Sequence, residues 1–537
     1  MEAMHGDLLL VNGRVLTMDP TRPEATAVAI RQGRVVAVGS DNEAREAAGP
    51  RVEVIDLRGR LATPGLNDAH AHPMLVGFAL GDLDLAATPE RNRAIPDLVA
   101  LVAEAAKAQP AGAWIIGRGY DQARLADQRH PTRHDLDLVS PNHPTLLLRS
   151  CHHIGVANSR ALALAGVTAA TPDPPGGTYD RDEHGEPTGV LREAALEFVR
   201  TAIGQPTEDQ LAAAIQRGGQ AFLASGVTST VEAGIDEPRE LAAYQRLRQA
   251  GDLPVRTYLM MMLDQMLEPM LQLGLRTGFG DEMLRIGPAK LFSDGSLGGR
   301  TARMRRPFQG EADNVGLWMM PPADLKAKVL RAHRAGFQVG IHAIGDAAVE
   351  LVIEAYEEAQ RADSSPDPRH RIEHCSIVDE GLIGRIAAIG AVPIPGTSFL
   401  RHFRDAYVQN VGEERLRYAY GLASFARHGI IAAASTDAPV VPTSATAGLQ
   451  TMVTRRDLAG HPVWPEEAVP LADALRVYTV NGAYASFEER TKGTLVPGML
   501  GDVTVFETDL FAVAPDDLAQ VQVDLTILGG AVAFARE

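Results

Sequence analysis

Short apolar runs bounded by turn residues recur along this chain, and what lies between them changes twice. From residue 7 to 57 the runs follow one another closely: Leu8-Leu9-Leu10-Val11, Val15-Leu16, Ala27-Val28-Ala29-Ile30, Val35-Val36-Ala37-Val38 and 52–56. Asn12-Gly13 between the first two is a strong hairpin signal, because both residue types tolerate the positive φ of a tight turn. Residues 493–537 repeat this texture, with Pro497-Gly498 ahead of Val503-Thr504-Val505-Phe506 and a last apolar stretch over 521–532. Neither piece is long enough for a good core alone. The pattern predicts one small β-sandwich assembled from both termini, 1–60 and 491–537.

The middle, 61–490, alternates apolar runs with Ala/Leu/Glu-rich helical stretches, which is the signature of repeated βα units. One candidate strand ends at His72. Others fall at 226–231, 255–260, 289–292, 338–342, 370–374, 391–394 and 430–437. Eight strands in this arrangement predict an α/β fold, a distorted TIM (β/α)8 barrel with its active residues at the strand C-termini. The interval from His72 to the second strand is far too long for one crossover, so an insertion is expected at about 78–205.

Composition narrows the function classes. The chain has 537 residues, 45% hydrophobic and 22% charged, as expected of a globular protein with a large domain and an accessory unit. A net charge of −17 argues against nucleic acid or an anionic membrane as partner. Two cysteines, Cys151 and Cys375, imply no disulfide framework and fit a reducing cytoplasm. No signal peptide is read at the N-terminus, and no run approaches the ~20 apolar residues of a spanning helix.

The chemistry begins at Pro64-Gly65-Leu66-Asn67-Asp68-Ala69-His70-Ala71-His72-Pro73. Residues i and i+2 of a strand share a face, so His70 and His72 can aim two imidazoles at one point. A bare pair of this kind is common in loops, and its meaning depends on further ligands. His342 and His374 end two successive candidate strands, and Asp437 ends the last. Four imidazoles and a carboxylate at one barrel mouth suit a divalent first-row metal, zinc first among them, with manganese or iron as alternatives and one or two ions. Asp437 is then the candidate general base and acid, taking a proton from water and later passing it to the leaving group.

Several segments together resemble the amidohydrolase superfamily, in particular the YtcJ-like members of amidohydrolase family 3. They are 11–19, the 64–73 segment, Asn158-Ser159-Arg160-Ala161-Leu162, Pro174-Pro175-Gly176-Gly177, 187–191, 290–302, His342-Ala343-Ile344-Gly345-Asp346, Arg371-Ile372-Glu373-His374 and 435–439. The resemblance implies a distorted barrel with a composite β-sandwich, in agreement with the reading by texture. It also implies a role for Lys290: carboxylation by CO2, the carbamate joining His70, His72, His342, His374 and Asp437 as a metal ligand. The alternative is a lysine paired with Asp294 or another carboxylate.

From the same resemblance, His153 in the insertion is the histidine placed near substrate, where it would steady an oxyanion; its neighbour His152 is the alternative. Arg300 is a candidate substrate contact, with a solvated arginine as the bland alternative. Trp114, Tyr120 and Asp121 are candidate pocket walls, against simple packing. The family's nearest characterised activity is removal of the formyl group from N-substituted formamides, so the expected reaction is C–N hydrolysis of a linear non-peptide amide. Hydrolysis of another amide, a carbamate or a cyclic amide, and ring deamination, stand behind it. A scaffold that had lost catalysis would show missing ligands, and none is missing. The expected partner is a small-molecule amide, and relatives suggest a homo-oligomer, most simply a dimer.

Overall fold

In a computed structural model, which describes residues 7–50, 52–88, 90–150 and 153–537, seven parallel strands form one sheet. Their order is Leu66–Ala71, Val227–Ile235, Arg256–Met262, Leu284–Phe292, Val339–Ala343, Arg371–His374 and Val392–Ile394. Chain order and spatial order coincide, as in a barrel wound by successive βα units. The helices between strands are amphipathic. Asp346–Ala362, for example, buries Val349, Val352, Ile353 and Tyr356 at helical spacing.

The segment expected as the eighth strand differs. Residues 430–437 form no regular strand, yet they bridge the two edges of the sheet. The Ala433 amide donates to the Pro393 carbonyl (3.1 Å), and the Ala434 carbonyl accepts from the Ala69 amide (2.8 Å). Pro393 has no amide hydrogen to return, so a continuous ladder cannot form on that side. The apolar run expected to end at His72 is in fact two strands. Leu61–Pro64 belongs to another sheet, and Leu66–Ala71 starts the barrel. Gly65 separates them where a Cβ would collide with the Thr228 side chain.

Strands from both termini share one six-stranded sheet, in which Val503–Phe506 runs antiparallel to Leu61–Pro64. A four-stranded sheet contains Leu8–Val11 beside Ala27–Arg31 and Glu53–Asp56. The alternation of a strand explains the core. Leu8 and Leu10 pack with Val503, Val505 and Ile527, whereas Leu9 and Val11 face Ala44 and Ala48 of the helix Asp41–Ala48.

The chain divides into two compact units, one running to Val76 and resuming at Leu211–Glu537, the other Gly77–Gln210. The second has its own six-stranded mixed sheet, centred on Ile115–Tyr120, Thr145–Arg149 and Ile154–Ala157, and its own apolar clusters. No helix among the described residues is long and apolar enough to cross a membrane.

Candidate active site

His70 lies inside the first barrel strand and His72 just beyond its end. The segment bearing Asp437 is laced to them. The Asp437 amide donates to the His70 carbonyl and the His72 amide to the Ala438 carbonyl, both at 2.8 Å. Asp68 reinforces the junction by accepting from the Thr436 hydroxyl (2.5 Å), the Thr436 amide and the His70 amide. Burial pushes the Asp68 carboxyl up to about 7, against those hydrogen bonds.

One ligand atom each from His70, His72 and Asp437 lies within 4.8 Å of the other two. His72 Nε2 is 3.3 Å and His70 Nε2 3.6 Å from Asp437 Oδ1. His374 joins them: its ring centroid is 4.9 Å from that of His70, and its Nδ1 is 4.0 Å from Asp437 Oδ2. Two of these residues have a left-handed backbone, His374 at φ +66° and Asp437 at φ +56°. Strain of this kind in residues with a Cβ persists where the surroundings over-determine it, and functional sites are the usual place. His342 packs its ring 4.6 Å from His374, with its Nε2 donating to the Gly295 carbonyl at 2.9 Å.

Lys290, on the fourth strand, is buried with its Nζ 3.4 Å from His70 Nε2. Burial pushes this amine down to about 8, against the pull of Glu373 and Asp437. Asp294 is engaged elsewhere, accepting from the amides of Arg303, Ile344 and Gly345.

Two carboxylates not singled out by the sequence analysis stand behind the histidines. Glu373 Oε2 is 2.5 Å from His70 Nδ1, and Arg371 grips the same carboxylate at 2.8 and 2.9 Å. Glu232 Oε1 is 3.6 Å from His72 Nδ1, while its Oε2 accepts from Tyr244 (2.6 Å) and the Met74 amide (3.0 Å). Histidines that ligate metals almost always have such partners on the ring nitrogen away from the metal. The signal in the sequence is the Arg371/Glu373 pair at i, i+2, two opposite charges on one face of a buried strand.

The electrostatics fit a cation. Burial holds His70 and His374 well below the usual imidazole range and His342 at about 4, so these rings keep their lone pairs near neutrality. Burial lowers His72 as well, but the neighbouring carboxylates of Asp437 and Glu232 outweigh this and raise it to about 9. Burial acts to raise Asp437, and the nearby His72 with the other surrounding imidazoles outweighs it, leaving the carboxylate ionised. His374 Nδ1 is buried without a hydrogen-bond partner, and a metal would satisfy it. His70, His72, His374 and Asp437 therefore fit a divalent ion, with His342 and Lys290 at its margin.

The remaining candidates have other surroundings. Arg300 ties a loop together, donating from Nε to Asn410 Oδ1 (2.8 Å) and pairing with Glu311. Tyr120 is a core residue of the insertion instead of a pocket wall: its ring is buried among Leu85, Leu147 and Val156, and its hydroxyl meets His130 at 3.0 Å. Trp114 packs against the second cluster of that unit, and Asp121 binds Arg149. His153 is an exposed residue of the same unit, with its Nδ1 2.8 Å from Glu193 Oε2. His152 and Cys151 lie outside the described residues.

Comparison with known proteins places the chain in a family. Residues 53–534 match the amidohydrolase family. The chain is similar to an N-substituted formamide deformylase of Arthrobacter pascens, 30% identical over 99% of this chain and 98% of that one. It is similar to YtcJ of Bacillus subtilis (strain 168), 28% identical over 98% of each. Among solved structures it resembles an uncharacterized metal-dependent hydrolase from Pyrococcus furiosus, with a TM-score of 0.77 and 29% identity over 93% of this chain and 98% of that one. The chain belongs to the amidohydrolase family.

Proposed function

We propose that this protein is a metal-dependent hydrolase of the C–N bond in linear non-peptide amides, with N-substituted formamides or close analogues as substrates. The observation that carries this reading is the meeting of His70, His72 and Asp437 ligand atoms within 4.8 Å beside the unpaired Nδ1 of His374. The likeness to a formamide deformylase over almost the whole of both chains supports the substrate class.

A zinc ion held by these residues would polarise the amide carbonyl and make water acidic enough to attack near neutrality. The rest falls to the chain. Asp437, ionised and 3.3 Å from His72, takes a proton from the attacking water. It returns that proton to the amide nitrogen as the C–N bond breaks, so an N-substituted formamide and water give an amine and formic acid. His72 steadies the carboxylate between the two transfers. Lys290, as the neutral amine, adds to CO2 through Nζ and releases a proton, which gives the site an additional anionic oxygen donor. Glu373 and Glu232 keep the two imidazoles in fixed orientation.

The test is a panel of N-formyl, N-acetyl and carbamoyl amines offered to the zinc-loaded protein. The expected outcome is hydrolysis with preference for the N-formyl amines. Activity confined to esters or aminopurines would contradict the proposal.

A further inference from the structure

Two buried hydroxyls beside the ligand set meet no hydrogen-bond partner. Tyr420 is 3% exposed and Ser376 is sealed from solvent, and the oxygen of each is unpaired. Folded chains ordinarily pair such groups, so an orphan calls for an explanation. Ser376 follows His374 by two residues. Tyr420 sets its ring edge-on to Phe399, 5.7 Å between centroids at 78°. Phe399 in turn lies nearly parallel to the His374 imidazole, at 6.1 Å and 21°.

The phenol is held in place by design of the backbone around it. Tyr420 has a left-handed φ of +51°, unfavourable for a residue with a Cβ. The buried Arg455 clamps this turn, donating to the Tyr420 carbonyl (3.3 Å) and the Ala419 carbonyl (3.0 Å). Burial, together with the charge of Asp437, pushes the phenol up to about 12, so it keeps its hydrogen. The Ser376 and Tyr407 hydroxyls stand close enough to act on it, yet neither meets it in hydrogen-bonding geometry. A strained turn and a buried arginine thus hold a phenol oxygen beside the Ser376 and Tyr407 hydroxyls but in hydrogen-bonding geometry with neither.

We propose that Tyr420 and Ser376 form an acyl-oxygen site on the barrel, in which Tyr420 donates its hydroxyl hydrogen to the carbonyl oxygen of the bound amide and Ser376 is the second donor. This rests on the amide-hydrolase reading and deepens it. The contact strengthens as that oxygen gains negative charge, which is where a preorganised donor accelerates acyl transfer most. Tyr420 is then a catalytic residue that touches the substrate.

The experiment compares the full-length zinc-loaded protein with Tyr420→Phe and Ser376→Ala. Thermal midpoints should equal or exceed that of the parent, because each change removes a buried oxygen with no partner. On the best amide of the panel, Tyr420→Phe should lower kcat/KM about 100-fold, mainly in kcat, with zinc content unchanged. Lowered thermal midpoints with kcat/KM within twofold of the parent would make these hydroxyls structural and overturn the proposal. A parent inactive on every amide defeats the hydrolase reading instead, and the site is then probed with acetate. A rise in thermal midpoint with acetate that shrinks in Tyr420→Phe would support the site; an equal or absent rise would overturn it.

Discussion

Nδ1 of His70 lies 2.5 Å from Oε2 of Glu373, and neither side chain reaches solvent. The carboxylate fixes the hydrogen of the imidazole on Nδ1 and turns Nε2 toward Asp437. Arg371, equally buried, neutralises the carboxylate with two hydrogen bonds and uses a third to bind the Ala69 carbonyl, one residue before His70. Orientation of the His70 imidazole is thus built into the barrel core.

Glu373→Gln separates the two tasks of this carboxylate. Zinc affinity should fall roughly 10–100-fold in competition with a chelator. Stability should fall by about 3–5 kcal/mol in denaturant unfolding, because Arg371 is left as an uncompensated buried charge. An unchanged affinity would show that His70 does not depend on Glu373.

Glu232 offers a contrast, since a tyrosine instead of an arginine holds it. Glu232→Gln should weaken zinc binding by a similar roughly 10–100-fold factor through His72. Its cost in stability should be smaller, with no buried cation stranded. Tyr244→Phe removes one neutral donor and should cost about 1 kcal/mol of stability.

Lys290 carries the pH dependence. Its folded value of about 8 lies below the ordinary 10.5, so the unfolded chain binds a proton that the folded one does not between those values. Stability of the metal-free protein should therefore rise with pH across that window and carry the burial cost of the ammonium below it. The neutral amine appears over the same range. A carbamate signal from 13C-labelled bicarbonate should grow as pH passes about 8 and vanish in Lys290→Met; a signal insensitive to pH and to that substitution would assign it elsewhere.

Asp437→Asn removes the proton carrier and leaves the imidazoles. Turnover should drop about 10²–10⁴-fold with most of the zinc retained. Retention of turnover within about tenfold would move the general base to another group.

Much of the architecture was legible because period-2 and βα patterns are local. The six strands from the second to the seventh fall where apolar runs sit between helical stretches, and the sandwich follows from two short β-rich ends that need each other. Two details escaped. The break at Gly65 depends on a close approach to Thr228, a contact 163 residues away that no local pattern reveals. The irregular eighth segment depends on Pro393 lying opposite it. In the site, the histidines and Asp437 stand out in the sequence by residue type and strand-end position, and the fold brings His70, His72 and Asp437 together. Glu373 and Glu232 do not stand out, because their contacts with His70 and His72 come from strands far apart in sequence, which only three-dimensional packing discloses. Tyr120 shows the converse: next to Asp121 it reads as either a pocket wall or a packing residue, and the structure places it in a core cluster.

The measurement that bears most directly on the central claim is metal content joined to activity. Protein purified without chelator should hold stoichiometric zinc, hydrolyse an N-formyl amine, lose that activity on chelation and regain it when zinc is restored. Protein that holds no stoichiometric zinc, manganese or iron, or whose hydrolysis survives full removal of metal, would contradict the account.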